Sequence, residues 1–315
     1  MRLARQGEDL LRGIASIVLV AVGLTSAIAM AAEAESTAGT ANPSKSDTAQ
    51  VTPSSSRLSL ASDLYLRVNP AGAMVFVGPV FQHSYSLGPG ILLRNLYVRT
   101  GVLAGLNPAY SQVSAFVESL PLAILQMKVQ LDSFNFFGAN GALLRFPSAD
   151  SRFGAAEQKS LKGQETTGVG YRALLSPVLR ARVGPVVARV QTDLAYYRMA
   201  SESGYYLEWE YVTLVKRKDW VISNRAALLG VFWQGRGDEV LLLGLAHEVT
   251  HAVGTGVTRR RIELILYLEP ATHWTVFDRP RLFGLVGVNL EDRNRANEPF
   301  GLIGAGADFD LWQTR

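Results

Sequence analysis

The feature that most constrains this chain is an alternation of apolar and polar residues with a period of two, held over long segments. From Ile124 to Asp132, Leu125, Met127, Val129 and Leu131 share one parity, and Gln126, Lys128, Gln130 and Asp132 share the other. Ala188 to Tyr196 sets Ala188, Val190, Leu194 and Tyr196 against Arg189, Gln191 and Asp193, with Thr192 intermediate. Arg261 to Glu269 places Ile262, Leu264, Leu266 and Leu268 opposite Arg261, Glu263, Tyr267 and Glu269. The pattern recurs in 96–106, 282–291 and 303–312. Successive side chains of a strand point to opposite faces, so each segment reads as a strand with one apolar and one wet face.

Length separates a membrane wall from a soluble sandwich. Soluble strands usually have ~5–6 residues, whereas a tilted strand needs ~9–11 to cross the hydrocarbon; the segments here run to about 10–15. No run of ~18 apolar residues follows the N-terminal region, so no later helix spans a bilayer. With 48% hydrophobic and 18% charged residues, the chain must be globular or a closed barrel, the forms that satisfy every backbone polar group. A soluble β-sandwich is the alternative. Cys is absent, which removes disulfides, thiolate metal sites and a cysteine nucleophile. A net charge of +4, without a dense basic block, gives no reason to expect nucleic acid as a partner.

The two ends of the chain differ in character. Arg2, Arg5 and Arg12 precede an apolar run from Gly13 to Ile28, and Ala29-Met30-Ala31 has the A-x-A form of a cleavage site, so residues 1–31 read as a secretory signal peptide. Residues 32–57, rich in Ala, Ser, Thr, Asn and Pro without periodicity, read as a disordered linker or tail. Residues 58–315 read as one all-β domain, an antiparallel transmembrane β-barrel of about 12 strands (10–14). The expected strands are 73–86, 92–106, 110–119, 123–137, 167–183, 186–199, 207–216, 219–234, 238–253, 258–270, 279–291 and 301–312, with 110–137 alternatively one strand bent at Pro121. Short turns such as Asn107-Pro108-Ala109 are expected on the periplasmic side and the longer stretches 139–166 and 200–206 outside. Aromatics near segment ends (Phe134, Phe136 and Phe137; Tyr196 and Tyr197; Tyr205, Tyr206 and Trp209; Trp220; Trp233; Trp274 and Phe277) are expected to form interfacial girdles.

One motif points to other chemistry. His247-Glu248-Val249-Thr250-His251 matches H-E-x-x-H. On a helix, His247 and His251 would share a face and ligate zinc, with Glu248 as the general base of a metallopeptidase. On a strand they would lie ~13 Å apart, at ~3.3 Å per residue, too far to share one metal. Val257 stands where the extended motif has a third histidine, and His83 and His273 are the other histidines. His83-Ser84 suggests, more weakly, a rim hydrolase. For Lys216-Arg217-Lys218 and Arg259-Arg260-Arg261 the simplest expectation is solvation or contact with anionic headgroups. Arg99, Lys128, Arg180, Arg182 and Arg189, if they face the lumen, would bias a pore toward anions, offset by Glu118, Asp132, Asp193 and Glu263.

Lys128–Gly138 (KVQLDSFNFFG) and Phe300–Trp312 (FGLIGAGADFDLW) resemble the porin-like outer-membrane β-barrel proteins of Gram-negative bacteria. The resemblance covers residues 58–312. It implies the cell outer membrane as location, with outer-membrane lipid and the barrel-assembly machinery as partners. It also implies a passive channel or small-solute transporter that needs no cofactor. The alternatives are the zinc peptidase and a non-conducting structural or adhesion barrel.

Overall fold

In a computed structural model, residues 54–314 are described, except 89, 200–203, 236–238 and 271–277. The expected signal peptide, nearly all of the tail, and His273, Trp274 and Phe277 lie outside the described residues. Twelve antiparallel strands close into a barrel in the order β1 (Ser55–Val68), β2 (Gly72–Tyr85), β3 (Leu96–Leu106), β4 (Tyr110–Leu122), β5 (Leu125–Phe137), β7 (Thr167–Val183), β8 (Val186–Met199), β11 (Lys218–Gln234), β12 (Val240–Ala252), β13 (Val257–Glu269), β14 (Asp278–Glu291) and β15 (Pro299–Gln313). The last strand pairs with the first, Leu58 opposite Trp312 and Val68 opposite Gly301, so no sheet edge is left open. A separate three-stranded sheet is built from β6 (Arg145–Phe146), β9 (Tyr205–Glu208) and β10 (Thr213–Lys216), and a short helix spans Ala155–Ser160.

The expected count of twelve is met through two compensating corrections. The first strand, β1, begins at Ser55 inside the segment assigned to the tail and was not among the expected strands. Residues 207–216 are not a wall strand; they form the β9–β10 hairpin, reversed at Val212, whose φ is 50°. Region 110–137 is two strands, β4 and β5, paired from Tyr110–Phe136 to Leu122–Leu125.

Both faces of the wall follow parity. The outward positions carry Leu64, Val77, Val117, Leu228, Leu264 and Ile303, all exposed, a surface that only lipid satisfies. The inward positions carry Arg57, Asp132, Arg172, Glu248, Arg259 and Glu263, all buried. Backbones approach so closely at some inward glycines that a side chain is excluded. A Cβ on Gly78 would lie 2.0 Å from the Val102 carbonyl, and one on Gly244 would lie 2.1 Å from that of Leu228.

Parity also divides the aromatics. Trp220 and Tyr196 pack at a tilt on the outer face with ring centroids 5.1 Å apart, and Phe137 and Trp233 are exposed, as a girdle requires. Phe134, Phe136 and Tyr197 face inward and are buried, while Tyr205, Tyr206 and Trp209 belong to a lid. These six correct the girdle expectation, because neighbouring residues on a strand cannot both face lipid.

Following the strands from the termini assigns the connections to two ends. The β3–β4 turn, Asn107–Ala109, lies at the same end as the long connections 138–166 and 204–217, not opposite them as expected from its length. That end, opposite to where β1 starts and β15 stops, is the outer one by the position of the long loops.

Candidate functional site

The two long connections fold over the outer mouth as a lid. Leu144, Phe146, Phe153, Leu207 and Leu214 from the lid pack with Val257 of the rim. Tyr206, Tyr211 and Val215 pack with Phe134, Phe136, Tyr197 and Val221 of the wall. The lid is tied around the rim: Asn140 Nδ2 donates to the Pro108 carbonyl (2.9 Å), Thr255 Oγ1 to the Leu214 carbonyl (2.8 Å), and the Phe153 amide to Asn294 Oδ1 (2.9 Å). The largest apolar clusters of this molecule therefore sit at its outer end, not midway along the barrel.

Beneath the lid is a cavity of about 590 Å³. Its lining runs from rim residues Gly72, Asn107, Asn140 and Trp209 down to Asp63, Lys128, Asp193 and Leu285. Three charge clusters border this space. Asp132 accepts from Gln112, Ser114, Gln130 and Arg172 (2.6–2.9 Å), and Arg172 lies over the Phe134 and Tyr197 rings and pairs with Glu210 of the lid. Glu248 accepts from Arg225 (2.6 Å), Arg259 (2.9 Å) and Arg261 (2.8 Å), while Glu263 pairs with Arg225 and Arg261. Arg281 bridges Asp63 (2.7 Å) and Asp308 (3.1 Å), and Arg57 pairs with Asp308 and Asp310 (both 3.4 Å).

The lid holds one acid of its own in an unusual state. The Glu208 carboxylate accepts the amides of Glu210 (3.0 Å) and Tyr211 (2.6 Å). Burial, and then the neighbouring Glu210, nevertheless hold its pKa above the usual carboxylate range.

The H-E-x-x-H residues are strand residues in β12, opposite Arg261 and its neighbours on β13. His247 and His251 face outward; His247 is exposed, and His251 Nδ1 shares a hydrogen bond with Thr258 Oγ1 (2.9 Å). Glu248 faces the lumen in its three-arginine cluster. A helix would bring the three together, but the pleat puts base and ligands on opposite sides of the wall. Among the described residues no group of three His, Asp or Glu side chains could hold a metal. His83 does not meet Ser84: its Nδ1 contacts Ser56 Oγ (2.9 Å) across the β1–β2 pair, and Ser84 accepts from Gln82 (3.0 Å). Arg259-Arg260-Arg261 is split by the pleat, with Arg260 outside and the other two in the Glu248 cluster.

Arg99, Lys128, Arg180, Arg182 and Arg189 all occupy lumen parity. The ion-pair clusters themselves escaped sequence reasoning, because they depend on which strands become neighbours and in what register. The inward parity of Arg225, Glu248 and Arg281 was the available signal.

A closed barrel with an apolar exterior, a charged interior and a lid of long loops is a transmembrane barrel of the outer-membrane kind, and its place is the cell outer membrane. Several solved structures align with the chain. They include the β domain of the Bordetella autotransporter BrkA (12% identity, 82% of this chain and 99% of that chain covered, TM-score 0.39). An outer membrane channel from Pseudomonas putida F1 aligns at 10% identity over 86% and 100% of the two chains, with a TM-score of 0.35. An anion-selective porin from Comamonas acidovorans aligns at 8% identity over 83% and 99%, with a TM-score of 0.30. No protein-family model and no curated protein matches the sequence.

Proposed function

We propose that this protein is a passive conduit for small solutes across the outer membrane, with its outer mouth narrowed by the lid. The observation that carries the reading is the 590 Å³ cavity, which reaches from rim residues to the middle of a charged lumen. A barrel of this strand number lies between eight-stranded barrels, filled by side chains, and 16-stranded porins with an aqueous channel. The chain reaches its membrane through the signal at 1–31 and is inserted by the barrel-assembly machinery, as its resemblance implies.

The test is conductance of the refolded mature chain in planar bilayers. Small discrete steps are expected, growing when residues 204–216 are replaced by a short Gly/Ser linker. Silence from both proteins, each shown to be folded by heat-modifiable migration on a gel, would sink the conduit.

A further inference from the structure

Six arginines inside this barrel each have an acid to answer them. The cations on the inner half of the wall formed by β3, β4, β5, β7 and β8 do not. Arg99, Lys128, Arg180, Arg182 and Arg189 all face the lumen, near the strand ends that lie on the terminal side of the barrel. Glu118 is the single acid among them, placed by register between Arg99 and Lys128, and its carboxylate accepts from the Tyr97 hydroxyl (2.8 Å). None of the five cations pairs with a described acid, whereas Arg57, Arg172, Arg225, Arg259, Arg261 and Arg281 all do.

The packing holds these cations toward the lumen without neutralising them. Lys128 Nζ and the Arg99 guanidinium lie 5.1 and 5.9 Å from the centre of the same Phe116 ring. Arg180 and Arg189 stand directly opposite each other on β7 and β8, where like charges repel. The arginines of β7 and β8 donate to neutral acceptors: Arg180 to the Ala123 carbonyl (3.1 Å), Arg189 to Gln191 (2.7 Å), and Arg182 to Gln234 (2.9 Å). Guanidinium donors remain over, in forks that match carboxylate and phosphate oxygens.

We propose that this strip is a binding site for anionic solutes bearing carboxylate or phosphate groups, so that the conduit of the preceding section favours polyanions. The idea rests on that reading for transport but not for binding, and the two can fail separately. Refolded mature barrel in detergent is titrated calorimetrically with inorganic pyrophosphate and with citrate. Saturable, salt-sensitive binding is expected, weakened roughly tenfold or more in the Arg180→Gln/Arg189→Gln variant. It should be unchanged in Arg198→Gln/Lys218→Gln, a pair of cations on the outer face. Heat-modifiable migration shows that each variant is folded.

In bilayers under a KCl gradient, the reversal potential should lie on the anion side and move toward zero in the Arg180/Arg189 variant. No binding, or binding that follows the outer-face pair instead, overturns the site. Cation selectivity in a conducting barrel overturns the polyanion preference. A silent barrel that still binds pyrophosphate through Arg180 and Arg189 defeats the conduit and leaves the site standing.

Discussion

The Glu248 cluster and the basic strip on β3–β8 are made of the same residue type in the same lumen, yet they do opposite things. In the first, three arginines converge on one carboxylate at 2.6–2.9 Å, and two of them, Arg225 and Arg261, share a second acid, Glu263. Each arginine there meets at least one carboxylate, three cations against two acids, and the group ties β11, β12 and β13 together. In the second, five cations are spread over neighbouring strands with one acid between them, two of them face to face. Answered charges hold a wall; unanswered ones are available to something that arrives from outside. Stability and function can therefore be assigned to different arginines from local charge matching alone.

The largest test of this contrast is Glu248→Gln. It leaves three largely desolvated guanidiniums with one acid, Glu263, which Arg225 and Arg261 contact, and it should cost about 3–5 kcal/mol, the loss usual for breaking a buried pair. The check is the urea midpoint of the refolded barrel followed by tryptophan fluorescence. A shift under about 1 kcal/mol would show the cluster to be hydrated, in the range of exposed pairs, and would erase the distinction.

The opposite sign is expected on the strip. Arg180→Gln/Arg189→Gln removes a repulsion and should leave the urea midpoint unchanged or raise it, by less than about 1 kcal/mol. A marked loss of stability would mean that these residues, too, are structural.

A smaller effect involves the lid. The Glu208 pKa is raised by burial when the lid is docked, so protonation favours docking. That preference is complete below the ordinary glutamate value and fades as pH rises through the docked value. Lowering the pH from 7 toward 4 should therefore quieten lid opening, read as current fluctuation or as quenching of Trp209. Glu208→Gln should flatten the response. The smallest effect is expected for His247→Ala/His251→Ala, which should change neither stability nor zinc content; zinc content is measured by atomic absorption of dialysed protein. Loss of a bound zinc would reopen the peptidase reading.

Much of the wall was legible because parity is a local property: Lys128, Arg180 and Arg189 were placed in the lumen by counting residues. The first strand is equally legible. Leu58, Leu60, Leu64 and Leu66 alternate with Arg57, Ser59, Asp63 and Tyr65, directly behind a Ser-rich stretch without periodicity. Residues 207–216 are the converse case. Their apolar residues serve a lid rather than lipid, and nothing in a short apolar run says which. The partners of Glu248 were beyond reach, since Arg225 and Arg259 reach it from strands on either side, whose alignment is set by the closed barrel.

The seam between β1 and β15 has a consequence in time. Most neighbouring wall strands follow one another along the chain or are separated by a lid segment, so their pairing can proceed locally. Ser56 and Thr314, which hydrogen bond at 3.0 Å, are separated by 258 positions. Closure must therefore wait for the whole wall to assemble, and its entropic cost is the greatest of any pairing. Arg281, bound to Asp63 on one side of that seam and to Asp308 on the other, acts as a late-setting clasp. Its loss should be felt chiefly as faster opening of a finished barrel, with little change in how quickly the strands assemble.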